Sequence, residues 1–362
     1  MFYHYVIDDS LSRYIHSSTN IEYTIHQNLS CSNPDNHEVE EGLTIEEAGG
    51  SLSSVFGCLK NTKIPNYHTR FIPVTEFDIN SISHLPDKFP LTKSEVVSYV
   101  KSHVPLVGRI HSSIISSNRP DTRDDGTPYL FADRKGQTYF TVGSGWVTWM
   151  DGPLTDDDCQ LCAGKCQERY WRIDVHTAKH VIFDNQEAQA CTFVLFDDFD
   201  DGRGKVSLSG WRYKGGEIEP DYSRMDFHTH DEALANMLKD KLNISVDMRR
   251  RVNETFCSVG LDITRPIIMA VIAHPHARKK HISIGNYKGK GVEYKEGKRW
   301  GDTKAVKYSC ATCSGSSGGL VLEIGLQDVE LAGKRYATFK HPHSGATHDL
   351  EVGISCNWWR WI

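Results

Sequence analysis

The segment Gly315-Ser316-Ser317-Gly318-Gly319 runs directly into the apolar stretch LVLEI. Attack on a carbonyl carbon needs a presented serine hydroxyl and two backbone N–H groups turned toward the developing oxyanion. Glycines on both sides allow the tight backbone that offers them. Ser317 is the candidate nucleophile, and the N–H groups of Gly315 and Ser317 are the candidate oxyanion donors. A Ser/Gly turn joining two strands would have the same composition, so the segment needs a partner elsewhere. Thr177-Ala178-Lys179-His180-Val181-Ile182 offers one, because it follows the strand-like RYWRIDV and sets a histidine just beyond a strand end. An imidazole of near-neutral pKa can take a serine proton and return it to a leaving group. The Thr-Ala-x-His-Val context separates His180 from the rest of the 18 histidines.

Thr-Ala-x-His followed much later by Gly-x-Ser-Gly-Gly resembles the chymotrypsin/trypsin-like serine peptidase family. The resemblance implies two six-stranded antiparallel β-barrels with a Ser-His-Asp triad between them, in the order His, Asp, Ser at separations of about 45 and about 93 residues. Asp226 lies 46 residues after His180 and 91 before Ser317. It stands in Arg224-Met225-Asp226-Phe227-His228-Thr229, similar to the family's aspartate-plus-strand segment, with Asp221 and Asp231 as nearby alternatives. Gly143-Ser144-Gly145-Trp146-Val147 resembles the strand that precedes the histidine. His274-Pro275-His276 followed by HISIGNY resembles the strand pair ahead of the nucleophile. The likeness covers about Leu91 to Ile362.

The departures from that family are equally informative. The Ile-Val-Gly-Gly start of digestive trypsins is absent, and Ser316 stands where they carry the aspartate that pairs with the new amino terminus. Zymogen activation of that kind is therefore not expected. Six residues before Ser317, where trypsins place the acid that selects Arg and Lys, stands Ala311, so tryptic specificity is not expected either. KHPHSG sets His341 and His343 near the strand that walls the specificity pocket. Members that cleave after Glu or Gln often carry a histidine there, whose ring N–H can donate to the substrate side chain. The expected activity is a serine endopeptidase acting through an acyl-enzyme on protein or peptide substrates, with no organic cofactor. The rival readings are a non-catalytic homologue that binds through its cleft and a zinc-dependent interaction protein.

The second rival rests on the cysteines. Cys159-x2-Cys162-x3-Cys166 sits in the acidic stretch LTDDDCQLCAGKCQ, and Cys310-x2-Cys313 lies just ahead of the nucleophile. C-x-x-C spacing suits thiolate ligands of zinc, but a structural site takes four donors and the first cluster supplies three. Zinc at Cys159, Cys162 and Cys166, disulfides, and free thiols all stay open. Cys313 stands where secreted relatives bridge the pocket, and no partner follows from sequence.

The elements that must position these residues are mostly strands. From Pro105 onward short β-type segments alternate with turn residues: LVGRIHSSII, PYLFAD, QTYFTVGSGWVTWM, RYWRIDV, ACTFVLF, KVSLSGWRY, PIIMAVIAH, HISIGNY, GLVLEIG, RYATFK and DLEVGIS. This is an all-β pattern. LTKSEVVSYVKSHV predicts a helix opened by a Thr92-x-x-Glu95 capping box, and EALANMLKDKL from Glu232 predicts a second. The fold expected is mainly β, two antiparallel six-stranded barrels with an N-terminal extension of low regular structure. The divisions expected are an acidic region over 1–90 and a peptidase domain over 91–362, with its first barrel at about 91–225 and its second at about 245–362.

Charge and length bound the rest. The 362 residues carry 41 basic and 47 acidic side chains, a net charge of −6, which gives no polycation to hold a phosphate backbone. Nucleic acid is not an expected partner. Residues 1–50 hold nine acids against one base, so the remainder is close to neutral. No run of about 18 apolar residues occurs, so no membrane span is expected. MFYHYVIDDSLSRYIHSS lacks a basic leader ahead of an apolar run, which slightly favours a reducing, cytoplasmic setting, while the Asn-x-Ser/Thr sequons at Asn28, Asn243 and Asn253 pull the other way, so the compartment stays open.

Overall fold

The structure is a computed structural model. It describes residues 43–45, 67–123, 126, 128–155, 158–162, 168–199, 201–218, 220–259, 268–294, 303–325, 330–331, 334–335, 338–347 and 353–357. The chain divides into two units, Met1–His37 and Glu38–Ile362, and every described residue belongs to the second.

Six strands close the first barrel: β3 (Val107–Ile114), β4 (Thr138–Leu154), β5 (Tyr170–Thr177), β6 (Cys191–Leu195), β7 (Val206–Glu217) and β8 (Tyr222–Thr229). They pair in the order β3-β4-β5-β8-β7-β6, and β6 returns to β3. The second sheet holds β9 (Ile268–Ala273), β10 (His281–Tyr294), β11 (Thr303–Tyr308), β12 (Leu320–Ile324), β15 (Thr338–Thr347) and β16 (Gly353–Asn357). Its order is β15-β12-β9-β10-β11-β16, and pairing of β15 with β16 closes the ring. Every pairing in both barrels is antiparallel. A small hairpin, β13 (Glu330–Leu331) with β14 (Lys334–Arg335), stands apart.

Period-two alternation explains the apolar run IMAVIA of β9. Met269, Val271 and Ala273 pack with Val306, Tyr308 and Val321 inside the second barrel. Ile268, Ala270 and Ile272 point the other way, into a cluster with the two larger helices. A strand covered on both faces reads as continuously apolar. Those helices are α1 (Lys93–His103) and α3 (Glu232–Ser258), and between them in sequence lies the short α2 (Asn185–Gln189). Val96, Val97, Tyr99 and Val100 of α1 and Val252 and Phe256 of α3 fill the cluster.

α1 begins as its sequence dictates. Thr92 Oγ1 accepts from the Glu95 N–H at 3.3 Å, and Glu95 accepts in return from the Thr92 N–H at 2.7 Å. α3 is longer than the predicted Glu232–Leu242, since its second half is held by tertiary packing of Val252 and Phe256 rather than by local signals.

Two differences from the sequence reading concern strands. PYLFAD is not a strand: Phe131 takes a left-handed conformation at φ 60° and a turn of 3₁₀-helix follows. Tyr129 and Phe131 instead pack their rings about 5.8 and 5.7 Å from the Arg119 guanidinium carbon. TKAVKY, whose lysines hide its periodicity, is β11.

The N-terminal region contributes to the second barrel. β1 (Leu43–Ile45) pairs with β15 and β2 (Ile72–Pro73) pairs with β10. Val74, Phe77 and Ile82 are buried in the cluster with α1. From Ile72 the chain thus shares a core with the body, because apolar side chains at these positions have the outer face of β9 and β12 to cover.

Candidate active site

β5 and β8 are antiparallel neighbours with Thr177 opposite Ser223, so the segment just after β5 lies beside the segment just before β8. His180 follows β5, and Asp221 immediately precedes β8. His180 Nδ1 lies 2.7 Å from Asp221 Oδ2, and the His180 backbone N–H donates to Asp221 Oδ1 at 3.0 Å. Both side chains are buried. Asp221 adopts φ 49°, a left-handed conformation that aspartate tolerates better than most residues. Burial works against its ionisation, but the His180 charge and hydrogen bond, with Arg123 nearby, hold its pKa below the ordinary carboxylate value.

Asp226, favoured by spacing, is not the histidine's partner. It lies five residues along β8, about 16 Å further on at strand rise, opposite Asp174 of β5. Its Oδ2 is 3.2 Å from Lys214 Nζ and 3.4 Å from an Arg212 guanidinium nitrogen. Counting residues from His180 cannot distinguish two aspartates five apart, whereas the register of β5 on β8 does. Asp231 sits at the far end of the strand and caps α3, accepting from the Leu234 N–H at 2.9 Å.

The nucleophile loop is held by its glycines. Gly315 has φ 89°, and a Cβ there would stand 2.6 Å from the His274 carbonyl oxygen. Gly318 has φ 77°, and a Cβ would stand 2.1 Å from Thr177 Oγ1 and 2.9 Å from the Ala178 nitrogen. Only glycine permits so close an approach of the Ser317 loop to the segment that carries His180. On the other side of His180, Val181 packs against Gly143, which itself lies next to the Ser317 carbonyl. His180 is thus bracketed by residues that touch the Ser317 loop or its support. His180 Nε2 is buried and makes no hydrogen bond.

Ser144, within the Gly-x-Gly strand segment, ties the barrels together at this point. Its N–H donates to the Ser317 carbonyl at 2.7 Å, and its hydroxyl donates to the Gly315 carbonyl at 2.8 Å. The same hydroxyl accepts from the His274 N–H at 2.9 Å, and its carbonyl accepts from Thr177 Oγ1 at 2.6 Å. One small residue on β4 thereby fixes the loop, the end of β5 and the end of β9. Within the loop, Ser316 N–H donates to Cys313 O, and Ser316 Oγ accepts from the Cys313 N–H at 3.2 Å. Ser316 is therefore engaged in the turn.

A second scaffold holds the histidine segment from behind. Arg119 makes a two-pronged pair with Glu187 at 2.7 and 2.8 Å, both side chains fully buried, and its NH2 nitrogen also donates to the His180 carbonyl at 2.9 Å. Glu187 also accepts from the backbone N–H groups of Phe183 and Ser116, each at 2.8 Å.

The three pocket candidates separate. Ala311 is buried, and its carbonyl accepts from Ser283 Oγ at 2.7 Å. His341 is buried with Nε2 3.2 Å from the Glu323 carboxylate, and neither of its ring nitrogens makes a hydrogen bond to a described residue. His343 is joined to the nucleophile loop: its N–H donates to Gly319 O and its carbonyl accepts from the Gly318 N–H, at 2.8 and 2.7 Å. Its Nδ1 lies 2.5 Å from the Tyr308 hydroxyl. Sequence reasoning missed Tyr308, which belongs to the unforeseen β11.

Among the described residues, Cys159, Cys162, Cys191, Cys257 and Cys310 form no disulfide, and Cys313 is disulfide-bonded. Cys166 lies outside the described residues. Burial pushes the thiol pKa of Cys310 well up, so it is not a poised nucleophile.

No protein-family model matches the chain, and no curated protein matches it. Similar solved structures include the active form of the Rv3671c protease from M. tuberculosis, 10% identical with a TM-score of 0.34, over 72% of this chain and 78% of that one. The HtrA-type protease AlgW with a decapeptide is 13% identical with a TM-score of 0.35, over 72% of this chain and 63% of its own, so this chain spans less than two thirds of AlgW. Deg5 is 15% identical with a TM-score of 0.34, over 67% and 87%. By its strand order and the closure of both sheets, this chain has the chymotrypsin-like double β-barrel fold.

Proposed function

We propose that the chain is a serine endopeptidase with His180, Asp221 and Ser317 as its triad. The observation that carries this reading is the two-point hold of Asp221 on His180, on a segment packed against the glycine-bounded Ser317 loop. With Nδ1–H donating to Asp221, the proton-accepting lone pair of His180 sits on Nε2, the atom that takes the Ser317 proton as the hydroxyl attacks the scissile carbonyl. The N–H groups of Gly315 and Ser317 receive the oxyanion. Protonated His180 then releases the amine, and water reverses the sequence to free the acid.

The finer reading is a preference for Glu or Gln at the residue preceding the cleaved bond. When the Tyr308 hydroxyl donates to His343 Nδ1, the ring carries its proton on Nε2, where it is a donor for a substrate carbonyl or carboxylate oxygen. His343, hydrogen-bonded through its main chain to Gly318 and Gly319 beside Ser317, is the histidine to which we assign this role.

A fluorophosphonate probe tests the activity. Ser317 and His180 are fully buried, so labelling is followed over time. Labelling lost in Ser317→Ala and kept in Ser316→Ala supports the reading. An intact protein that never labels and cleaves no member of a peptide library overturns it.

A further inference from the structure

Three metal-ligating side chains converge well away from Ser317. Cys159 Sγ lies 3.4 Å and Cys162 Sγ 3.2 Å from the same atom, His230 Nε2. All three ligand atoms lie within 4.8 Å of one another. A tetrahedral zinc with Zn–S of about 2.3 Å and Zn–N of about 2.0 Å separates a sulfur from a nitrogen ligand by about 3.5 Å, so both spacings are close to what one shared ion requires. The imidazole is also oriented to ligate, with Nδ1 2.9 Å from the Arg169 carbonyl. Donation of Nδ1–H to that carbonyl leaves the Nε2 lone pair facing the two sulfurs, which is how metal-bound histidines are held.

We propose that Cys159, Cys162 and His230 supply three of the four donors of a structural zinc site. Two thiolates and an imidazole are soft and borderline donors that select zinc over calcium or magnesium. His230, absent from the sequence cluster, is 68 residues beyond Cys162 and arrives only because β8 returns alongside β5.

The position explains what the ion does. The antiparallel pair β5 and β8 carries His180 and Asp221 at one end and Arg169 and His230 at the other. Eight residues of strand separate the ends by about 25 Å, so the metal takes no part at Ser317. It clamps the connection between β4 and β5 onto the junction of β8 and α3. The clamp is reinforced by the Gln160 N–H donating to His228 Nδ1 at 3.1 Å and by Gln160 Nε2 donating to Gly210 O at 2.8 Å. Buried Tyr170 packs with Cys159, with Leu154 and Cys162 alongside.

The test uses the untagged full chain purified without chelator and is read on the metal, so its result is independent of peptidase activity. Elemental analysis is expected to find an equivalent of zinc per chain, lost in Cys162→Ser and in His230→Gln and kept in Cys257→Ser, which alters an exposed cysteine. Because either ligand variant could misfold, the unaltered protein supplies a second readout. Alkylation followed by peptide mapping is expected to modify Cys162 several-fold faster after chelation, with Cys257 unchanged. Absence of zinc, zinc kept in both ligand variants, chelation that leaves Cys162 alkylation unchanged, or a disulfide joining Cys159 to Cys162 each overturns the proposal.

Discussion

The Asp221 carboxylate holds His180 at two atoms, 2.7 Å from Nδ1 and 3.0 Å from the backbone nitrogen. A carboxylate that binds ring and main chain together fixes the tautomer and the position of the imidazole at once. Nothing comparable connects His180 to Asp226, whose charge is met by Lys214 and Arg212.

Asp221→Asn is therefore expected to lower kcat by about 10⁴-fold with KM little changed, since the amide favours the wrong tautomer. Asp226→Asn is expected to leave kcat within a few-fold. Steady-state kinetics on a cleaved peptide decides, and the reverse pattern would make Asp226 the third member.

Tyr308→Phe removes the hydroxyl that orients His343. Loss of an oriented donor to a buried polar side chain is worth about 1–3 kcal/mol. The expected result is a fall of about tenfold or more in kcat/KM for Glu or Gln substrates, with fluorophosphonate labelling of Ser317 preserved. An unchanged preference would remove His343 from the pocket.

The Arg119–Glu187 pair is fully buried and also carries the His180 carbonyl. Glu187→Gln leaves an unmatched buried guanidinium, and breaking such a pair costs about 3–5 kcal/mol. Urea denaturation reads the loss directly. A midpoint within error of the unaltered protein would show that the pair contributes nothing net.

Asp174 sets an acid limb to stability. Burial raises its pKa, but hydrogen bonds from His176 and Arg224 outweigh that, holding it down at about 2. The Arg224 guanidinium is 2.6 Å from its carboxylate. A carboxylate whose folded pKa lies below its unfolded value stabilises the fold above the unfolded value, near 3.8, and loses that contribution as pH falls through about 2. The difference corresponds to about 2 kcal/mol. Asp174→Asn is expected to lose this at neutral pH and to flatten stability between about pH 4 and pH 2, as measured by urea midpoints across that range. An acid limb of unchanged steepness would assign it to other carboxylates.

Sequence by itself determined what local chemistry determines. The glycines around Ser317 mark a backbone that only glycine follows, the capping box opens α1, and apolar runs mark the strands that are buried on both faces. His180 was legible because its strand and its flanking residues are contiguous. Tertiary structure decided whatever depends on register between distant strands. Asp221 rather than Asp226 faces His180 because β5 pairs with β8 at Thr177 and Ser223. The same pairing brings His230 to the two cysteines, and β11 brings Tyr308 to His343. Contacts separated by 35 to 68 residues leave no periodic trace in the chain, since a strand's alternation fixes which face is buried but not which residue lies opposite.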